Sequence, residues 1–333
     1  MNWHQSKPQS SIRLAINQPF TVDEMNPPSI IFMGTPEFAI PALRALHERF
    51  GVKAVVTVPD KPSGRGKKLH SSPIAVEAQA LQIPLLQPAH LKEPNFVETI
   101  ASLKPDIIVV IAFRILPKEV YSLASMGAFN IHGSLLPKYR GAAPIQWSII
   151  NGETETGLTA FLLNDVVDTG KILSRVHVSI APDMTAGELF SALTLPAAEL
   201  AISTCEALIS GTAIPIPQDD SEATPAPKLF RDQCKIDWHQ SAETIRNLIR
   251  GTNPKPGAWT IFNDKSLKVL KASINNESRD LLPGSYVITD AEFFVGTASH
   301  VIALDKIQEE GKSAMSITDF LRGYRGSKQG MFT

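Results

Sequence analysis

Two short polar segments carry residue types that can move an acyl group. Asn130-Ile131-His132-Gly133-Ser134 closes one apolar run, and Asp168-Thr169-Gly170 follows another. Asn130 and His132 are two positions apart, so on extended chain both side chains face the same way. An amide, an imidazole and a carboxylate suit acyl transfer without a covalent intermediate. Asn and protonated His donate hydrogen bonds to a developing oxyanion, while Asp holds the His charged and oriented. Taken singly, a His and an Asp are more simply read as loop caps, and only convergence would give them chemistry.

Other motifs are weaker. Gly34-Thr35-Pro36-Glu37 stands where a dinucleotide-binding loop would, but it has one glycine and not the G-x-G-x-x-G spacing, which argues against NAD. Lys61-Pro-Ser-Gly-Arg65-Gly-Lys67-Lys68 is a basic loop beside Asp60. It reads as a mobile arm for phosphates or as solvated surface, and it lacks the spacing of a P-loop. Ser134 has no G-x-S-x-G context, which argues against a nucleophilic hydrolase. No spacing of His, Cys or carboxylates suggests a metal site. Cys205 and Cys234 are too few for a disulfide framework.

The scaffold for these residues is legible in outline. The 333 residues suffice for two domains, and 43% hydrophobic with 20% charged side chains is an ordinary soluble composition. The longest apolar run, Ile107–Phe113, is seven residues, too short to cross a bilayer. A net charge of −1 argues against broad capture of nucleic acid but leaves room for a local basic patch. Residues 1–24 are polar and without periodicity, which predicts a loose tail or an upstream start, with Met25 the functional one.

From residue 29, short apolar runs alternate with amphipathic stretches, which predicts parallel strands joined by helices in a doubly wound α/β domain, residues 25–213. Strands are expected at Ile30–Met33, Val52–Val58, Ile107–Ile111, Ala128–Ile131 and Thr156–Leu163, and a helix at Thr185–Gly211 divided by Pro196. In such a sheet ligands bind outside the carboxyl ends of the strands, where both polar segments would lie. Ile214–Pro227, with four prolines, reads as a linker. Residues 228–333 carry a helix at Ser241–Arg250 and several short strand candidates, the pattern of a small β-barrel. They hold 15 basic and 12 acidic side chains, against 17 and 21 in residues 1–227.

The run Asn130-Ile-His132-Gly-Ser-Leu-Leu-Pro-Lys-Tyr-Arg-Gly-Ala-Ala-Pro-Ile-Gln146, followed by Asp168-Thr-Gly170, resembles the signature of the 10-formyltetrahydrofolate-dependent formyltransferases. Over residues 29–322 the chain is most similar to the branch acting on methionyl initiator tRNA. Phe32–Ala39, Pro59–Leu69, Gly141–Ile145, Ile236–Trp238 and Ile249–Trp259 carry that likeness. The resemblance implies a Rossmann-like catalytic domain and a smaller C-terminal OB-like β-barrel domain that binds tRNA. It implies Asn130, His132 and Asp168 as catalytic residues. Ser134, Leu135, Leu136, Pro137, Gly141 and Ala142 would line the folate side, and Lys61, Arg65, Lys67 and Lys68 would meet the tRNA. The donor would be 10-formyltetrahydrofolate with no metal, and the protein a cytoplasmic monomer without membrane contact. Ala112–Pro117, bordering the folate pocket, is one residue shorter than the family pattern and lacks its Gly. Alternatives are a formyltransferase for an amino-sugar nucleotide or glycinamide ribonucleotide, or a non-catalytic RNA-binding protein.

Overall fold

The computed structural model describes residues 27–63, 68–275 and 280–332. The expected tail 1–24, and Arg65 and Lys67, lie outside the described residues.

The first domain begins with β1 (Ile30–Gly34), α1 (Ile40–Phe50), β2 (Val52–Val56) and a small hairpin of β3 (Lys61–Ser63) and β4 (Lys68–His70). It continues through α2 (Pro73–Ala80), β5 (Leu85–Leu86), α3 (Pro94–Ser102), β6 (Ile107–Ile111) and α4 (Lys118–Tyr121). Then come β7 (Gly127–His132), α5 (Pro144–Ile150), β8 (Glu155–Leu162), β9 (Ile172–Ser179), α6 (Ala186–Ala192) and α7 (Thr194–Ile209). Helix starts follow local chemistry. Proline occupies the first helical turn of α1, α2, α3 and α5, where its missing N–H costs nothing. Thr185 and Glu188 form a reciprocal capping box at α6.

The main sheet runs β5-β2-β1-β6-β7-β8-β9. Alternation along the strands sends Ile30, Phe32, Ile107, Val109, Phe129 and Ile131 into a core with α1 and α7. Ile31, Met33, Ile108, Val110 and Ala128 enter the opposite core with α3 and α4. The sheet is therefore doubly wound, as expected. It is not wholly parallel: β8 pairs antiparallel with both β7 and β9. Nine residues between β8 and β9 are too few for a crossover, which needs a dozen or more. The break before Pro196 also matches expectation, at Leu193. The span Ala186–Ile209 is 24 residues with mean hydropathy 1.4. It is long and apolar enough to cross a membrane by length and composition, yet Leu189, Leu193, Ala197, Ala201 and Cys205 are buried in the first core.

The second domain holds α8 (Ala242–Thr252), β10 (Ala258–Phe262), β11 (Lys265–Asn275), β12 (Ser285–Ile288) and β13 (Phe293–Gly296). It ends with β14 (Val301–Glu309), β15 (Met315–Ser316), α9 (Ile317–Gly323) and β16 (Gln329–Met331). Its antiparallel sheet runs β10-β11-β14-β13-β12-β16 and curls round an aromatic core of Phe262, Tyr286, Phe293, Phe320 and Phe332.

The segment 214–227 does not behave as a free linker. Ile216 exchanges both backbone hydrogen bonds with Ile172, at 2.7 and 2.8 Å. Arg140 N–H donates to Thr224 O, and Ala226 and Ala143 N–H donate to Arg140 O and Ala226 O. Trp147 Nε1 donates to Pro227 O at 2.7 Å. The proline-rich composition removes donors, Ile216 and Ala226 pair with the first domain and Ser221–Ala223 pair within a local turn, so the segment is a strap.

Candidate active site

β7 delivers Asn130 and His132 to the carboxyl end of the sheet, on the same face as Ala128, because alternate residues share a face. The chain then turns sharply, and Thr159 of the neighbouring β8 holds the turn. Its Oγ1 donates to Ser134 O at 2.7 Å and accepts from Leu136 N–H at 3.0 Å. Asp168 arrives from the β8–β9 connection in the left-handed region, φ +57. Two residues on, Gly170 has its Cα directly beside Leu162 O, where a Cβ would collide.

His132 is 6% exposed and Asp168 9%. His132 Nε2 lies 2.7 Å from Tyr139 O. A carbonyl only accepts, so that ring nitrogen carries the proton, and Nδ1 faces Asp168 Oδ2 at 3.7 Å. Asp168 Oδ2 also accepts from Gly141 N–H at 2.9 Å. Tyr139 is itself held: its N–H donates to Thr224 Oγ1 at 2.9 Å and its hydroxyl to Glu153 at 2.6 Å. Burial first, then the Glu153 hydrogen bond, push the Tyr139 phenol up to about 12, so it remains a donor at neutral pH.

A cavity of about 780 Å³ opens at this point, with Asn130 and Asp168 in its wall. The rest of the lining is largely apolar, including Val110, Phe113, Leu116, Phe161 and Leu163. Ile115, Val166 and Val167 stand exposed at its rim. Arg114 lies over the Phe113 ring and donates to Pro88 O and Ala89 O, both at 2.9 Å. Its Nε is buried without a partner, and burial lowers the guanidinium pKa. On the far side Tyr121 donates to Asp165 at 2.5 Å, which pushes the phenol up to about 12 and holds the carboxyl low.

Of the three residues expected to be catalytic, Asn130 and Asp168 share the cavity wall and His132 stands 3.7 Å from Asp168, while Phe113–Pro117 lines the same cavity. The six expected on the folate side lie in the turn that follows β7. None of Ser134, Leu135, Leu136, Pro137, Gly141 and Ala142 is in the cavity wall. Ser134 is fully buried and donates to Lys138 O, and Leu136 packs with Phe161 and Ile172. Gly141, at φ +128, lies so close to Ala226 O that a Cβ would collide. These residues build the turn that orients His132. Lys61 is exposed at the start of the β3–β4 hairpin, and Lys68 begins β4. The sequence reading gave no individual role to Tyr139, Arg114 or Gln218. Arg114 alone left a signal, as a cation directly after a buried strand.

The fold is that of a formyl transferase. Residues 29–204 match the family described as Formyl transferase, and residues 228–325 match Formyl transferase, C-terminal domain. A methionyl-tRNA formyltransferase of Clostridium novyi (strain NT) is 43% identical over 297 residues, covering 88% of this chain and 96% of that protein. One from Chlorobium chlorochromatii (strain CaD3) is 43% identical over 301 residues, with the same coverages. The chain belongs to the methionyl-tRNA formyltransferase family. The fold is shared with a solved methionyl-tRNA formyltransferase from Clostridium thermocellum (TM-score 0.53, 20% identity, 75% of this chain and 95% of that one). It is shared also with an N-formyltransferase from Helicobacter canadensis solved with folinic acid and dTDP-3-aminofucose (TM-score 0.64, 20% identity, 85% of this chain and 99% of that one).

Proposed function

We propose that this chain transfers a formyl group from 10-formyltetrahydrofolate to the α-amine of methionine carried by initiator tRNA, at Asn130, His132 and Asp168. The observation that carries the reading is that Asn130 and Asp168 stand in the wall of one largely apolar cavity with His132 Nδ1 3.7 Å from Asp168, in a chain 43% identical to methionyl-tRNA formyltransferases over 88% of its length. The cavity fits the donor in size and kind: about 780 Å³, with apolar walls for flat rings and an unpartnered Arg114 Nε for an acceptor atom. The donor supplies an activated formyl amide. Asn130 donates to the formyl oxygen as negative charge develops there, and His132 adds positive charge beside it. Asp168 orients His132 and assists removal of the proton from the attacking amine. No metal enters these roles. Lys61, Arg65, Lys67 and Lys68 meet the phosphates and the acceptor end of the tRNA. The protein acts as a monomer in the cytoplasm, where charged initiator tRNA is used.

The test offers labelled donor with charged initiator tRNA, glycinamide ribonucleotide or an amino-sugar nucleotide. Label on methionyl-tRNA alone is expected. Label on the amino-sugar nucleotide instead would replace the acceptor proposed here.

A further inference from the structure

We propose that Gln218 is a positioning residue for the transfer step: its amide clasps the loop carrying Asp168 to the loop that orients His132, so that the strap between the domains completes the catalytic geometry. The inference rests on the reaction proposed above.

Gln218 Nε2 donates to two carbonyls of the Asp168 loop, Asp168 O at 2.9 Å and Gly170 O at 2.8 Å. Its Oε1 accepts from Arg140 Nε at 3.1 Å and Arg140 Nη2 at 2.7 Å. The amide orientation is dictated by chemistry, because carbonyls only accept and a guanidinium only donates. Arg140 sits between the two backbone groups that set the catalytic pair. Tyr139 O takes the His132 Nε2 hydrogen, and Gly141 N–H holds Asp168 Oδ2. One side chain therefore ties both loops at the residues where His132 and Asp168 are aimed.

Asp168 needs such a tie. A non-glycine residue at φ +57 is held in a sparsely populated region, and persists only where its surroundings over-determine it. The strap supplies the rest of the fixture. Ile216 pairs with Ile172 on one side of Gln218, and Thr224–Ala226 pair with Arg140 and Ala143 on the other. Arg140 has a second partner, Asp220, so loss of Gln218 would leave that loop docked while releasing the Asp168 carbonyl. The cavity wall at Phe113 and Leu116 takes no part in the clasp, so donor binding should be spared.

The full-length chain carrying Gln218→Glu is the sharpest test. The substitution keeps the shape and an acceptor for Arg140, but turns an anionic oxygen toward two carbonyls. Gln218→Ala, which adds no charge, is the companion variant. With saturating donor and charged initiator tRNA, kcat is expected to fall about 10- to 100-fold, with the KM for the donor within about threefold, since small misplacements of reacting groups cost rate. A purely structural role would not predict the next readout. In an Asp168→Asn background, Gln218→Glu should cost less than about twofold further, because residues acting as a unit are non-additive. Unchanged kcat in both variants, a rise in KM alone, or the full loss persisting in the Asp168→Asn background would each overturn the clasp. Wild-type chain in the same assay separates the two ideas: its failure to formylate methionyl-tRNA would overturn the reaction and the clasp together.

Discussion

His132 has Nε2 committed to the Tyr139 carbonyl and Nδ1 turned to Asp168, so the ring acts through these two partners. His132→Asn keeps a donor without the charge, and we expect kcat to fall by ~10²–10³, the typical loss when oxyanion stabilisation is removed. Steady-state kinetics with melting curves as a folding control check this. Away from the site, Glu77 is buried against α1 and its carboxylate takes both Arg44 Nε and Nη2, at 2.7 and 2.8 Å. The Arg44 hydrogen bonds hold the Glu77 carboxyl below the ordinary range, against a smaller opposing effect of burial. A depressed carboxylate pKa contributes stability above the unfolded value near 4.5 that is lost as pH falls through the folded value. Glu77→Gln should therefore lower the melting temperature at pH 7, with the difference from wild type shrinking as the pH falls below 4. That Asn130 and His132 share a strand face and that Asp168 follows the next strand was legible in the sequence, because parity on a strand and position after it both act locally. Gln218 and Tyr139 were not, since each works through backbone groups or through partners far along the chain.

At the scale of elements, the β8–β9 connection is the most constrained piece of the site. Gly170→Ala would drive a Cβ into Leu162 O, and neither β8 nor its neighbour can retreat without breaking the ladder. We expect a loss of ~2–4 kcal/mol, within the range of severe packing substitutions, measured by denaturant unfolding. The β3–β4 hairpin is anchored at its base, where Asp60 accepts from Ser71 and Gln87 at 2.9 and 2.8 Å. Lys61→Ala is expected to reduce the log–log salt slope of tRNA binding by about 0.7–0.9, the value of one phosphate contact. Arg65→Ala should lower kcat/KM for charged tRNA and leave folate binding intact, because a guanidinium can also stack on an opened base. An unchanged slope in Lys61→Ala and an unchanged rate in Arg65→Ala would make the hairpin ordinary solvated surface. The strands themselves were readable from β-branched runs such as Ile107–Ile111. Their direction was not, because a helix-containing stretch between β7 and β8 is long enough for a parallel crossover and yet returns antiparallel.

The whole molecule is held together by the strap and by α8 lying on α5. At Gly251 a Cβ would come within 2.6 Å of Ile150 Cγ1 and 3.0 Å of its backbone nitrogen, so the two helices meet backbone to backbone. Arg246 donates to Pro182 O and Asp183 at 2.7 and 2.8 Å, and Arg250 donates to Met184 O, locking the same face. Gly251→Leu should wedge the domains apart, lowering the tRNA formylation rate while donor affinity stays within about threefold, a split that equilibrium titration and kinetics resolve. The second domain was readable as a texture of short strands and the segment 214–227 as a change of composition. Proline content said nothing about where the remaining N–H groups of that segment find partners. The central claim, that Asn130, His132 and Asp168 carry out transfer to methionyl-tRNA, is tested most directly by single-turnover formylation of charged initiator tRNA with saturating 10-formyltetrahydrofolate, comparing wild type with Asp168→Asn. The account predicts full transfer by wild type and a rate at least ~10²-fold lower in the variant, with donor binding retained. Equal rates in the two proteins would contradict it.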